Sequence, residues 1–201
     1  GTEHGNTYLT QPLKIYVDGL EYDLTTMPNQ QYIVCDKVEF EQQFIGHLGD
    51  NDMFECTMRN IYTHKGMINN WKINWLKDCR VTSSYSSMYS SLAKKFKIAG
   101  VSDTLNANDY SVGTEIGDFY GVDHMLGWND AGLILYVEAL DYLNNTYDYE
   151  YYNAGSFVKR TSERETKLYI PKFKGDIATG DVWNNSTLYS LQYCEDFDRL
   201  V

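Results

Sequence analysis

The densest gathering of groups able to do chemistry is GDFYGVDHMLGWND at 117–130, where Asp118, Asp123, His124, Trp128 and Asp130 stand among glycines. Carboxylates beside an imidazole can exchange protons or bind a metal ion. Asp123 and His124 are sequence neighbours, so in extended chain their side chains point to opposite faces and do not share a site automatically. The ordinary reading of this stretch is a structured loop. Its chemical reading is a hydrolase or metal-dependent enzyme with Asp118, Asp123, His124 and Trp128 as the site, the metal being unknown.

A second stretch, TYDYEYYNAG at 146–155, suggests contact rather than catalysis. Strand alternation would place Tyr147, Tyr149 and Tyr151 on one face and Asp148, Glu150 and Tyr152 on the other. Three rings about 6.6 Å apart form a ladder. It either packs into a core or is exposed as a contact surface, because tyrosine gives large contact area at low entropic cost. WKINW repeats the pattern, with Trp71, Ile73 and Trp75 on one face and Lys72 and Asn74 on the other. Tyr147, Tyr149, Tyr151, Trp71 and Trp75 are therefore the expected binding residues.

Other chemistry is missing from the pattern. No GxSxG elbow, HExxH, phosphate-binding loop or GxGxxG is present, and no cofactor is expected. His4, His47, His64 and His124 have no partner four residues away. Asp50 and Asp52 form an isolated DxD without the remaining ligands of a calcium loop. Acid pairs such as Glu138 with Asp141, or Glu115 with Asp118, could be proposed for sugar hydrolysis, but among 28 acids such pairs arise by chance. Cys35, Cys56, Cys79 and Cys194 contain no CxxC, and fit either disulfides of an exported chain or buried free thiols. Asn144, Asn184 and Asn185 each begin an N-x-S/T triplet.

Composition narrows the partners. The formal net charge of −11 argues against phosphate tracking, so no nucleic-acid partner is expected. No apolar run reaches the ~18 residues of a membrane helix. The chain begins at Gly1 rather than Met, which fits a trimmed N-terminus. The expected partners are copies of the chain, other proteins or glycans, met outside the cell, at a cell surface or on a virion, with the cytoplasm as the alternative.

The elements that must position these residues read as mainly β, with α+β as the variant: antiparallel sheets or a sandwich with one or two packed helices, in one domain over 1–201. Asp18-Gly19 in LKIYVDGLEYDL supplies the two positive-φ positions of a type I′ turn. The hairpin over 13–24 then sets Val17 against Leu20 and Ile15 against Tyr22. YIVCD (32–36) reads as a buried strand, and VEFEQQFIGHLG (38–49) as a short helix with Phe40, Phe44 and Leu48 on one side. MFECTMRNIY and WKINW read as strands. Tyr85, Met88, Tyr89, Leu92 and Phe96 recur at three and four, which predicts a helix over about 84–98. Residues 101–132 read as long Gly/Asp-rich connections with room for one short element. GLILYVEAL leans to strand, followed by strands at SFVKR, KLYIP and STLYSLQY, with Pro171 at a strand end or edge. The sum favours a non-enzymatic structural or binding module, with the enzyme as the alternative.

Overall fold

The computed structural model describes residues 6–26, 32–82, 84–119, 124–140, 156–171 and 175–193. About 65% of the chain is strand and 3% helical, so the expected mainly β, antiparallel architecture holds. Contacts divide it into two compact units, Gly1–Arg80 with Asp176–Asn185, and Val81–Gly175 with Ser186–Val201. The chain thus passes between units at three places, none marked by a linker. Discontinuity of this kind leaves no compositional signature.

The first unit is built on β1 (Asn6–Leu9), β2 (Lys14–Val17), β3 (Leu20–Tyr22), β4 (Lys37–Leu48), β5 (Asn51–Thr63) and β6 (Gly66–Trp75), with β7 (Cys79–Val81) following. Its sheet runs β6-β5-β4-β2-β3, and β1 pairs with the far end of β4. The β2–β3 hairpin has the predicted register, Val17↔Leu20 and Ile15↔Tyr22. Its turn uses Asp18 at φ 49° and Gly19 at φ 87°, the two left-handed positions the Asp-Gly pair predicts. The Asp18 carboxylate also accepts the Asp36 and Lys37 amides at 3.0 and 2.8 Å, which ties the turn to the start of β4.

The second unit contains β8 (Tyr85–Ser91), β9 (Lys95–Ile98), β10 (Leu105–Asn106), β11 (Glu115–Phe119), β12 (His124–Trp128), β13 (Leu133–Ala139), β14 (Ser156–Arg160) and β15 (Thr166–Pro171). β16 (Gly175–Ile177) pairs with β7, and β17 (Val182–Tyr193) begins in the first unit and ends in the second. Within the second unit one sheet runs β10-β9-β12-β13-β17 and the other β11-β14-β15-β8. Phe96, Ile98, Met125, Leu135 and Val137 from the first meet Ile116, Val158, Leu168 and Ile170 from the second in one buried cluster. Two sheets facing each other across a common core form a β-sandwich. Each such side chain contributes roughly 1.5–3 kcal/mol on leaving water. Arg160, 8% exposed, donates to the carbonyls of Ala107 and Tyr110 at 3.4 and 2.6 Å and so pins β14 to the turn after β10.

Several expectations are overturned. The expected helix over 38–49 is instead strand β4 up to Leu48, because Phe40, Phe44 and Leu48 lie four apart, a spacing that satisfies period two as well as period 3.6. The helix over about 84–98 is replaced by β8 and β9, joined at Leu92–Lys94. Met88 and Leu92, assigned to its apolar face, are 56% and 64% exposed, and the serines of this run carry weak helix propensity. YIVCD is neither buried nor strand, with Tyr32 at 96% and Val34 at 99% exposure. The stretch 101–132 holds more than the one short element expected, namely β10, a 3-10 turn over Ala107–Asp109, β11 and β12. β13 confirms the strand reading of GLILYVEAL, and Pro171 ends β15 as its missing amide requires.

Three thiols, Cys35, Cys56 and Cys79, are free. Cys194 lies outside the described residues. Burial pushes the Cys56 thiol up to about 12, and burial with the neighbouring Asp78 charge also raises Cys79. Because only the thiolate is the nucleophile, iodoacetamide at pH 8 should label Cys35 well before Cys56 in the native chain, with Cys56 reacting after unfolding. Peptide mass mapping reads the order, and native labelling of Cys56 at the rate of Cys35 would contradict it. Gly46 pairs with Phe54, and a Cβ on it would lie 2.2 Å from the Phe54 ring. Gly46→Ala must displace that ring, and should lower stability in urea by about 1–3 kcal/mol. An unchanged midpoint would mean the ring does not need the space.

Candidate functional site

Register in the first unit sorts side chains onto two chemically different faces. Pairs such as Gln42↔Met58↔Trp71, Phe40↔Asn60↔Asn69 and Val38↔Tyr62↔Met67 share one face, together with Ile15 and Val17 of β2. Followed along β2 to β6, this face carries no charged side chain. The opposite face carries Lys14, Lys37, Glu39, Glu41, Glu55, Arg59 and Lys72. There Glu39, 2% exposed, accepts Lys37 and Arg59 at 2.6 Å each, and the Arg59 guanidinium lies 5.4 Å from the Tyr16 ring centroid.

One corner of the uncharged face is closed. The Phe54 ring crosses Gly46 and meets Trp75 edge-on at 5.3 Å, and Trp75 meets Trp183 at 5.2 Å. Trp75 is only 8% exposed, so this residue of the expected binding set serves packing. Trp71 is placed differently, half-buried in the adjoining open region. That region holds Phe40 and Tyr62 edge-to-face at 5.7 Å, with Tyr62 44% exposed. Between the Trp71 row and the Tyr62 row, the Asn69 amide donates to Asn60 Oδ1 at 2.6 Å. This bond fixes both amides and leaves the Asn60 amino group and the Asn69 carbonyl as further donor and acceptor. The result is a platform roughly 13 by 14 Å, from strand rise and spacing, with ring and thioether surface flanking two oriented amides. Phe40, Asn60, Tyr62 and Asn69 were missed in sequence because β4 was read as a helix, which hides cross-strand rows.

Tyr147, Tyr149 and Tyr151 lie outside the described residues, as does Asp123. Asp118 is in β11, whereas His124 and Trp128 are in β12, a strand of the other sheet of the sandwich. His124 and Trp128 share a strand face four residues apart. His124 is paired with Glu138, and its ring lies 5.9 Å from that of Tyr136, whose hydroxyl donates to Glu138 at 2.8 Å. Trp128 lies under the Lys95 ammonium at 5.3 Å. Among the described residues, Tyr136 and Glu138 adjoin His124. Among the described residues no group of three or more His, Cys, Asp or Glu side chains gathers as a metal site.

A shallow acidic rim in the first unit, with Asp78, Asp176 and Asp181, is accounted for internally. Asp78 accepts the Thr179 amide and hydroxyl at 2.7 and 2.9 Å, and these bonds hold its carboxyl below the usual range. Asp181 accepts the Ala178 amide at 2.9 Å, and Asp176 pairs with Arg80 at 3.2 Å. Asn185, one of the three triplet asparagines, is 2% exposed and closed to glycan attachment in the fold, whereas Asn184 is exposed.

No protein-family model and no curated protein sequence matches this chain. Among solved structures, the galactosidase domain of alpha-galactosidase-sucrose kinase, AgaSK, is similar over 93% of this chain at 11% identity and a TM-score of 0.50. This chain spans only 30% of that one, and the likeness is one of fold. An Escherichia coli K12 protein proposed to be an aldose 1-epimerase covers 90% of this chain and 79% of its own at 7% identity, with a TM-score of 0.39 that carries no argument. The chain is, in fold, a β-sandwich-containing protein similar to part of a galactosidase.

Proposed function

We propose that this protein is a non-enzymatic binding module for neutral glycans, displayed outside the cell or on a virion, with the uncharged face of β4, β5 and β6 as its binding surface. One observation carries the reading: the segregation of charge, which leaves Phe40, Met58, Tyr62 and Trp71 around the oriented Asn60–Asn69 pair on one face and the ionised side chains on the other. The apolar faces of sugar rings stack on aromatic and thioether surface, and amides exchange hydrogen bonds with hydroxyls without desolvating a charge. A platform of these dimensions accommodates two or three sugar rings. The solved protein with a similar fold belongs to galactoside chemistry, which makes galactans the first polymers to test.

Affinity electrophoresis against neutral polysaccharides should retard the native chain, and Trp71→Ala should weaken binding at least tenfold, the loss typical of an aromatic anchor. Retardation should change little between low and physiological salt, since the platform holds no charge to screen. Absence of retardation by any neutral polymer, or an unaltered Trp71→Ala variant, would sink the reading.

Solution mass separates display from assembly. Light scattering should give the 23.3 kDa monomer, with the platform open to ligand. A stable oligomer that Trp71→Glu dissociates would instead make this face a contact between copies, as in a particle subunit.

A further inference from the structure

We infer that the open end of the second unit's sandwich is a separate binding site for the aliphatic part of an uncharged small molecule. The register sets Gly127 opposite Leu135 and Leu135 opposite Leu191, so these residues lie on the face that turns to the core. Along it Leu135 is 5% exposed, but Leu133 is 45% and Leu191 66% exposed, so the inner face of the first sheet continues past the buried core. Leu92, just after β8 on the other sheet, is 64% exposed and lines the same cleft. The space measures about 240 Å³.

Its floor is set by a close approach. A Cβ on Gly127 would stand 3.0 Å from Ala93 Cβ and 3.3 Å from the Phe96 ring, so the glycine lets β9 and the Leu92–Lys94 connection pack against β12. The wall is held by Asn129, whose Oδ1 accepts the amides of Ala131 and Leu133 at 3.0 Å each, and by Thr166, whose hydroxyl donates to the Ala93 carbonyl at 2.8 Å. Preformed apolar space with a few placed polar groups is the usual form of a small-molecule site.

The lining defines the ligand. It includes leucines with the hydroxyl-bearing Tyr89, Ser90 and Ser91, and no carboxylate, amine, guanidinium or imidazole. An anionic head would find no cation there, in a chain whose net charge is −11. A cavity of about 150 Å³ holds one benzene ring, and each water-sized group takes about 30 Å³, so the cleft fits about eight such groups. An aliphatic alcohol of about that length, its chain against Leu92, Leu133 and Leu191 and its hydroxyl toward Ser91, matches in size and charge.

The test is a titration of leucine-methyl-labelled protein with 1-octanol and, separately, octanoate, followed by NMR. Octanol should shift the Leu92, Leu133 and Leu191 methyls saturably, octanoate should bind at least tenfold more weakly, and Leu191→Glu should weaken octanol at least tenfold. Leu20→Glu, at a 77% exposed site in the first unit, and Trp71→Ala should leave octanol binding unchanged, which separates this cleft from the glycan platform. Should Leu191→Glu lose its methyl dispersion, Leu92→Ser at the opposite lip takes its place and should weaken octanol likewise. Non-saturating shifts, equal shifts at Leu20, octanoate binding as tight as octanol, or a folded lip variant with native affinity would each overturn the inference.

Discussion

The register of the β4–β5–β6 meander is the constraint on which the first unit depends. Side chains alternate with period two, so a slip of one residue would carry every ionised group of this sheet to the uncharged face. Three features hold it in place. Asp18 binds the amides at the start of β4, Phe54 fits only across Gly46, and Glu39 lies between Lys37 and Arg59. The last is costly in desolvation, and its role fits specification of pairing better than net stability. A carboxylate 2% exposed would be stranded if β5 shifted and moved Arg59 away.

The second unit solves a different problem with the same geometry. Its two sheets cover one another, so the inner faces are apolar while the outer faces are mixed, as the alternation of Lys95 and Lys97 with buried Phe96 and Ile98 in β9 shows. Polar side chains within it are tied to backbone, as Arg160 is to Ala107 and Tyr110, and Thr187 to the Ser86 carbonyl at 2.8 Å. Those bonds satisfy groups that would otherwise be buried at a cost of several kcal/mol. Core packing ends before the strands do, and the leucines beyond it line the octanol-sized cleft.

The platform and the cleft share one property that bears on function: neither contains an ionised side chain, in a chain rich in acids. Recognition at both would rest on shape, apolar contact and neutral hydrogen bonding. Contact of this kind needs no catalytic group. The His124–Tyr136–Glu138 neighbourhood, built from β12 and β13, brings an imidazole, a phenol and a carboxylate together among the described residues.

How much was legible divides along a physical line. Asp18-Gly19 announced its hairpin because two positive-φ positions are a local demand, and the alternation in β5, β6, β15 and β17 announced strands because period two is local as well. Trp71 could be placed on the face of Ile73 and Trp75 for the same reason. A spacing of four, as in Phe40–Phe44 or Tyr85–Tyr89, belongs to helix and strand alike, and only pairing with another strand resolves it. The sequence by itself therefore determined the β class, the hairpin and the chemical character of the faces of β5 and β6. Which strands became neighbours was decided by tertiary structure alone, and with it the meeting of Phe40, Asn60 and Asn69, the burial of Trp75 against Trp183, and the joining of Asp176–Asn185 to a unit about 100 residues earlier. Those outcomes depend on pairings between residues far apart in the chain, and no periodicity within a segment encodes its partner.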